Sequence, residues 1–301
     1  MKLDLSKNSL AVYESLASET RLKILELLSI QELNIGQLAA KLNLSSAIVT
    51  RHIQKLEQAQ LVASEKSAGK SGQQKIIRLR VDNIEVIFPK KIYNKFESRV
   101  INLKVGHYTD YSVEPTCGLA SPKKIIGKLD DPKYFMDGER MDASLVWLSD
   151  GYLVYKIPNL LKKSEQPEML EISLELASEF PGSNNIWPSD ISFFINNIKV
   201  GTWTSPGNFS DVRGAYTPLW WEDLNSQYGL LKHLRINRNS THIDGELLSN
   251  ITINKLGLEN SDLIEIKLAI EPDAKNKGGM TLFGQGFGNH DQDIIVKLFY
   301  S

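Results

Sequence analysis

Residues 34–61 read NIGQLAAKLNLSSAIVTRHIQKLEQAQL. Two helices and a tight turn account for this stretch. Asn34 can cap the first helix, with Gln37 three residues on in the reciprocal position of a capping box. Ile35, Leu38, Ala39 and Leu42 then recur at helical spacing. Asn43-Leu44 breaks the pattern, and Ser45 or Ser46 can cap the second helix. On a wheel of about 100° per residue, Val49, Ile53 and Leu56 fall within a narrow arc, with His52 on its margin. Ala47, Thr50, Arg51, Gln54 and Gln58 gather opposite, bordered by Ser45, Ser46 and Lys55. This outward face reads as free of acids and of large apolar groups. It offers methyl, hydroxyl, guanidinium and carboxamide groups, the kinds that read base edges in a major groove. Arg51 suits a guanine or a phosphate, Gln54 an adenine, and Ala47 or Thr50 a thymine methyl. An ordinary solvated face has the same pattern, so the flanking sequence must decide.

The flank is ASEKSAGKSGQQKIIRLRV, residues 63–81. Ile77, Leu79 and Val81 alternate with Arg78 and Arg80, as on a half-buried strand, and Gly69, Lys70 and Gly72 mark a cationic hairpin tip. A charged hairpin directly after a base-reading helix is placed to reach the sugar-phosphate backbone, which makes Lys66, Lys70, Lys75 and Arg78 candidate phosphate contacts. The charge is segregated accordingly. Residues 1–80 carry 12 Lys and Arg against 7 Asp and Glu, a net of +5, which leaves −6 for the remainder of a chain whose total is −1.

With those residues in view, LASETRLKILELLSIQELNIGQLAAKLNLSSAIVTRHIQKLEQAQLV, residues 16–62, resembles the winged helix-turn-helix of ArsR-type bacterial repressors. The matching features are the leading L-A-x-x-x-R-L-x-I-L-x-L-L, the L-A-x-x-L before the turn, and T-R-H-I-x-x-L in the second helix. The resemblance implies a double-stranded DNA operator as partner and a homodimer that reads two half-sites. Many members sense metals through cysteines in the helix before the turn. Residues 31–39 contain none, so neither a metal nor any other cofactor is expected here.

Residues 10–17 should form a first helix, which in the resembled family can also contact a second subunit. Ser18 should cap a second helix running to about residue 29, with Leu22, Leu25 and Leu28 as its inner stripe. Composition sets wider bounds. At 301 residues, 42% apolar and 24% charged, the chain should fold as two globular domains. No apolar run approaches the roughly 18 residues that cross a bilayer. The amino terminus lacks the apolar core of a secretory signal, and a single cysteine, Cys117, fits a reducing cytoplasm.

The expected plan is α+β: a winged helix-turn-helix domain at 1–81, a connection at 82–98 containing Pro89, and an all-β, jelly-roll-like sandwich at 99–301. In the last segment helical periodicity nearly vanishes. Short runs take over at 99–107, 143–148, 152–157, 170–176, 191–203, 231–237, 251–254, 263–270 and 294–300. Turn residues such as Ser149-Asp150-Gly151 and Asn196-Asn197 separate them. DYSVEPTCGLAS, WTSPGNFSDVRGAYTPLWW and GGMTLFGQGFGNHDQDI are similar to the carboxy-terminal half of a group of ArsR-type regulators, a similarity that supplies no ligand.

Four of the five tryptophans, Trp187, Trp203, Trp220 and Trp221, lie within 35 residues. Flat indole faces beside fixed polar groups are what carbohydrate sites use. Asp211, Arg213, His242, Asp244, Gln285 and Asn289 are the polar candidates for a sugar effector, with Asp190 and Glu222 nearby. Packing of the tryptophans inside the sandwich is the plainer alternative. A β-domain that only dimerises or binds a protein partner is the rival reading. An enzyme is not expected: the carboxylate pairs Glu179 with Asp190 and Glu222 with Asp223 have no distinguishing spacing. His107, His233, His242 and His290 show no paired-ligand spacing, and Gly284 to Asn289 lacks the strand-to-helix setting of a dinucleotide fingerprint.

Overall fold

The structure, a computed structural model, describes residues 1–69, 72–81, 83–88 and 96–301, and of residues 66–69 and 72–74 the backbone alone. The chain divides into two compact units, Met1–Tyr93 and Asn94–Ser301. The first holds β1 (Lys2–Leu3), α1 (Leu10–Leu16), α2 (Glu19–Ile30), β2 (Leu33–Asn34), α3 (Ile35–Leu42) and α4 (Ser46–Gln58). The wing follows as the hairpin β3 (Val62–Gly69) and β4 (Gly72–Leu79), and β2 adds to β4 through Leu33 opposite Ile77. β5 (Glu85–Val86) runs parallel to β1, so part of the stretch expected as a connection folds back onto the amino terminus.

Local chemistry explains these elements. Asn34 and Gln37 form the full capping box at α3, each side chain accepting the other's backbone N–H at 2.9 and 2.8 Å. Asn43 closes α3 in the left-handed region at φ 53°, a conformation asparagine tolerates. Ser45, not Ser46, caps α4 by accepting the Ile48 N–H at 3.3 Å. Val49, Ile53 and Leu56 are buried against Ile24, Leu38 and Ile77, each contributing about 1.5–3 kcal/mol relative to exposure. Two expectations need correction on α2. Ser18 stands at its N-cap without a capping hydrogen bond from the side chain, and Leu22 is exposed. The buried stripe is Arg21, Ile24 and Leu28. Arg21 takes an inner position because its guanidinium donates to the Ser15 and Glu14 carbonyls, both at 2.7 Å, at the open end of α1.

The second unit is built of β6 (Glu97–Leu103), β7 (Asp110–Ala120), β8 (Ile125–Ile126), β9 (Leu145–Pro158), β10 (Pro167–Ala177), β11 (Ser189–Ile195) and β12 (Ile198–Ser205). It continues with β13 (Leu230–Asn237), β14 (Thr241–Ile243), β15 (Glu246–Ser249), β16 (Leu263–Ile270), β17 (Met280–Phe283) and β18 (Ile294–Tyr300). One layer runs β12-β11-β16-β9-β7. The other runs β15-β14-β13-β10, after which β18 and then β6 pair along one half of β10 and β17 along the other.

β9 belongs to both layers. Residues 151–158 pair with β16, while 145–148 pair with β17. β7 follows it round the corner with a register shift between Glu114 and Cys117. Ser149-Asp150-Gly151, expected as a turn between strands, is therefore a bend inside one strand. Gly151 supplies it at φ +109°, where a side chain would meet the Ser112 carbonyl oxygen at 1.9 Å. Asn196-Asn197 is a true turn, with φ of 47° and 65°, between β11 and β12. The run at 251–254 is not a strand: Ile253–Leu256 is a 3-10 helix whose ends bury Ile253 and Leu256.

Both layers feed one core, with Leu170, Ile172 and Leu174 facing Leu153, Tyr155, Phe193, Ile266 and Leu268 in a single cluster. The Tyr155 hydroxyl, fully buried, donates to the Val105 carbonyl at 2.7 Å. A smaller second core gathers Leu145, Trp147, Phe283, Trp221 and Phe287.

Candidate functional site

Ala47, Arg51, Gln54 and Lys55 are all exposed on α4, opposite the buried Val49, Ile53 and Leu56. Among the described residues the side chains of Arg51, Gln54 and Lys55 make no hydrogen bond or ion pair, while the Lys55 carbonyl accepts the Ser15 hydroxyl at 3.3 Å. The hydrogen-bonding groups of those side chains are free for an outside partner. Ser45 and Ser46 are exposed at the first turn, Ser45 being held by its cap. The Thr50 hydroxyl donates to the Ser46 carbonyl at 2.7 Å, leaving its methyl group and an acceptor lone pair for any outside contact. His52 sits on the margin, where burial, Arg21 and Lys55 together hold its imidazole below the usual range.

The wing is less free than its composition suggests. Lys75 pairs with Glu57 at 2.7 Å, and Arg78 pairs with Glu65 at 2.6 Å. Both remain partly exposed, but each shares its charge with an acid of the same domain. Lys70 lies outside the described residues, as does the side chain of Lys66. The net result is a cationic, carboxamide-bearing helix face beside a hairpin whose root is braced by ion pairs. This is the arrangement of a winged helix-turn-helix, with the second helix of the pair in position to enter a major groove.

The family model for bacterial regulatory proteins of the arsR family matches residues 18–64. HlyU from Vibrio cholerae N16961 is 31% identical, with 26% of this chain covering 84% of that one at a TM-score of 0.23. The chain belongs to the ArsR family. The transcriptional regulator HlyU from Vibrio vulnificus CMCP6 is 33% identical over 25% of this chain and 74% of its own, TM-score 0.22. As an ArsR-family protein the chain is a DNA-binding transcription regulator. The CBM36-1 domain of a multidomain xylanase from the hindgut metagenome of Trinervitermes trinervoides is 11% identical. It covers 67% of this chain and 96% of itself at a TM-score of 0.29, too distant to bring a ligand with it. No curated protein matches the chain.

In the β-sandwich the expected sugar residues do not form one site. Trp221 is buried in the second core, edge-on to Trp147 and Phe287, and its indole N–H donates to the Ser226 carbonyl at 3.0 Å. This corrects its assignment as a ligand residue: a buried indole needs a polar partner and has found one. Trp203 is half-buried against the main core, with the Lys232 ammonium 4.8 Å from its ring centre. Lys232 in turn bonds Asp244 at 2.7 Å, so Trp203 and Asp244 do come together, already joined by a cation. Trp187 packs on Phe180, and Trp220 donates its N–H to the Pro122 carbonyl. Among the described residues neither Trp187 nor Trp203 makes a ring contact with the Trp220–Trp221 pair.

The polar candidates are similarly occupied. Arg213 donates to the Pro218 and Trp221 carbonyls and to Asp223. Asp211 accepts the Tyr228 hydroxyl at 2.7 Å, and Asn289 accepts the Ala215 N–H at 2.9 Å. His242 lies opposite Arg235 in the β13–β14 pairing, and Gln285 is exposed. Of the carboxylate pairs, Glu179 is buried on Thr116 and Thr281, Asp190 holds Thr204 and Asn276, and Asp223 holds Arg213. Burial pushes the Cys117 thiol up to about 12, which makes it an inert core group. Among the described residues no group of three or more His, Cys, Asp or Glu could hold a metal, and no helix is long and apolar enough to cross a membrane.

Three features went unread in the sequence. Ile48 is 44% exposed on α4, although that face was expected to carry no large apolar group. Glu57 holds Lys75, a pairing between residues 18 positions apart that no local pattern marks. The carboxylate of Glu175, almost wholly buried, accepts the backbone N–H groups of Gly229, Asn289 and His290 at 2.8–2.9 Å. It thereby fastens the loop segments that cover the second core. An acidic residue at an outward strand position carries no sign of such a role in the alternating pattern.

Proposed function

We propose that this protein represses transcription as a homodimer, placing one α4 in the major groove of each half of a near-palindromic operator. The observation that supports this reading is the exposure of Arg51, Gln54 and Lys55 without partners on a helix whose opposite side is fully buried. Phosphate attraction supplies much of the affinity, so binding falls steeply with salt. The test is binding of the full chain to operator DNA recovered from promoter fragments, with Arg51→Ala as the control. Retention of sequence preference by that variant removes the assignment.

The sandwich is the regulatory half, biasing the spacing of the paired DNA-binding units. Of the two occupants expected for it, a small carbohydrate and a protein surface, the geometry favours the protein. The hydrogen-bonding groups a sugar needs at Arg213, Asp211, Asp244 and Asn289 are engaged within the fold. The loop that carries Asp211 and Arg213 instead exposes Val212, Tyr216, Leu219 and Leu224, with Leu219 89% and Leu224 77% accessible. We read these exposed apolar side chains as an association surface. A thermal-shift screen with mono- and disaccharides should leave the melting temperature unchanged, and a clear rise with one sugar restores the sensor reading. Leu219→Asp with Leu224→Asp should abolish self-association or partner capture while leaving DNA affinity per site intact.

A further inference from the structure

We propose that Ile48 reads a thymine methyl group, so that the operator half-site carries a thymine beside the bases contacted by Arg51 and Gln54. This rests on the DNA-binding reading above and adds a residue to it. Ile48 is 44% accessible, while the neighbouring Val49 is fully buried. It precedes Arg51 by three residues and Lys55 by seven, which puts it on the same outward stripe of the helix. Its backbone N–H is held by the Ser45 hydroxyl, so it belongs to the first turn of α4. That is the end of a recognition helix whose side chains reach base edges.

Chemistry at the neighbouring positions points the same way. Ala47 presents a methyl group, and Thr50 has its hydroxyl proton committed to the Ser46 carbonyl. Three methyl-bearing side chains therefore surround two hydrogen-bonding ones, Arg51 and Gln54. In the major groove the only base group that rewards an aliphatic contact is the 5-methyl of thymine. A β-branched side chain on a helix is nearly fixed at χ1, so Ile48 loses little rotamer freedom when it makes the contact. A single exposed isoleucine on a protein surface is common and needs no explanation. This one flanks Arg51 on the helix face, one turn before it, with Lys55 further along the same side.

The experiment uses the full chain and duplexes it enriches from a randomised library. Each thymine of the enriched half-site is replaced in turn by deoxyuridine, which removes only the 5-methyl group. At one position the replacement should weaken binding of the natural chain about three- to five-fold, the order expected for one buried methyl group. It should leave Ile48→Ala unaffected. If deoxyuridine weakens neither protein at any position, or weakens both by the same factor, Ile48 does not read a thymine, although the operator reading stands. If no duplex is enriched, the operator reading falls and the assignment with it.

Discussion

The Glu57 carboxylate, near the end of α4, accepts from the Lys75 ammonium of β4 at 2.7 Å through Oε1 and 3.0 Å through Oε2, and Ser64 of β3 donates to the same carboxylate. One acid thus ties the recognition helix to both strands of the wing. Burial works to raise the Glu57 carboxyl, and Lys75 with Ser64 outweighs it and holds the group below its ordinary value. The strut fixes the angle between the two parts that would straddle a duplex.

Glu57→Gln should therefore lower the stability of the first unit by about 1 kcal/mol, since the pair is partly screened by solvent. Urea unfolding followed by circular dichroism measures it. Because Lys75 is already paired with Glu57, Lys75→Ala should cost less DNA affinity than Lys55→Ala. Equal losses would mean that Lys75 leaves Glu57 when DNA binds.

Arg51→Ala and Gln54→Ala should each cost about 1–3 kcal/mol of operator binding and relax the preference at one base pair. Lys70→Ala, on the sequence reading of the wing tip, should weaken all duplexes evenly and reduce the salt slope by about one. Fluorescence anisotropy with matched and scrambled duplexes separates the two classes.

The tryptophans divide by burial. Trp221→Ala removes a core ring and should destabilise the sandwich by about 3–5 kcal/mol. Trp220→Ala takes away a ring that is 39% exposed and should cost about 1 kcal/mol or less. Similar losses for both would contradict the second core as described.

Stability of the sandwich should peak in mildly acid solution. Burial pushes the Glu175 carboxyl up to about 7 against three backbone donors, and that of Glu179 up to about 8 against Thr281 and Thr116. Between their ordinary value and these raised ones the folded state binds more protons than the unfolded, so this contribution is lost as pH rises through 7 and 8. Hydrogen bonding from Arg99 holds Glu165 down to about 2. Its contribution is present above the ordinary value and lost as pH falls toward 2. The two trends cross at about pH 4–5. Thermal melts across pH test this, and Glu175→Gln should flatten the neutral limb.

The first unit was legible because its signals are local. The capping box at Asn34 and Gln37, the α4 wheel and the wing alternation each depend on residues within a few positions of one another. Leu22 was misplaced because Arg21 is buried, and a charged residue marks the outside on any wheel. In the sandwich, the strands at 263–270 and 294–300 were visible by alternation. β7 was hidden by Pro115 and Gly118 within it, and β17 by the glycines around it and burial of every residue. Gly151 reads as a turn in sequence and is a bend in one long strand, since only the pairing of 145–148 with β17 distinguishes the two. The ligand residues were chosen by type. Hydrogen bonds within the fold, which a sequence does not display, engage Asp211, Arg213, Asp244 and Asn289.

In the proposed function the outward face of α4 grips double-stranded DNA. The most direct measurement is a titration of labelled duplex DNA with the purified chain and with Arg51→Ala, at low and at moderate salt. Saturable binding that weakens steeply with salt, and is weaker in the variant at every salt concentration, is the predicted result. A chain that ignores duplex DNA even at low salt, or a variant that binds as tightly as the natural chain, would contradict it.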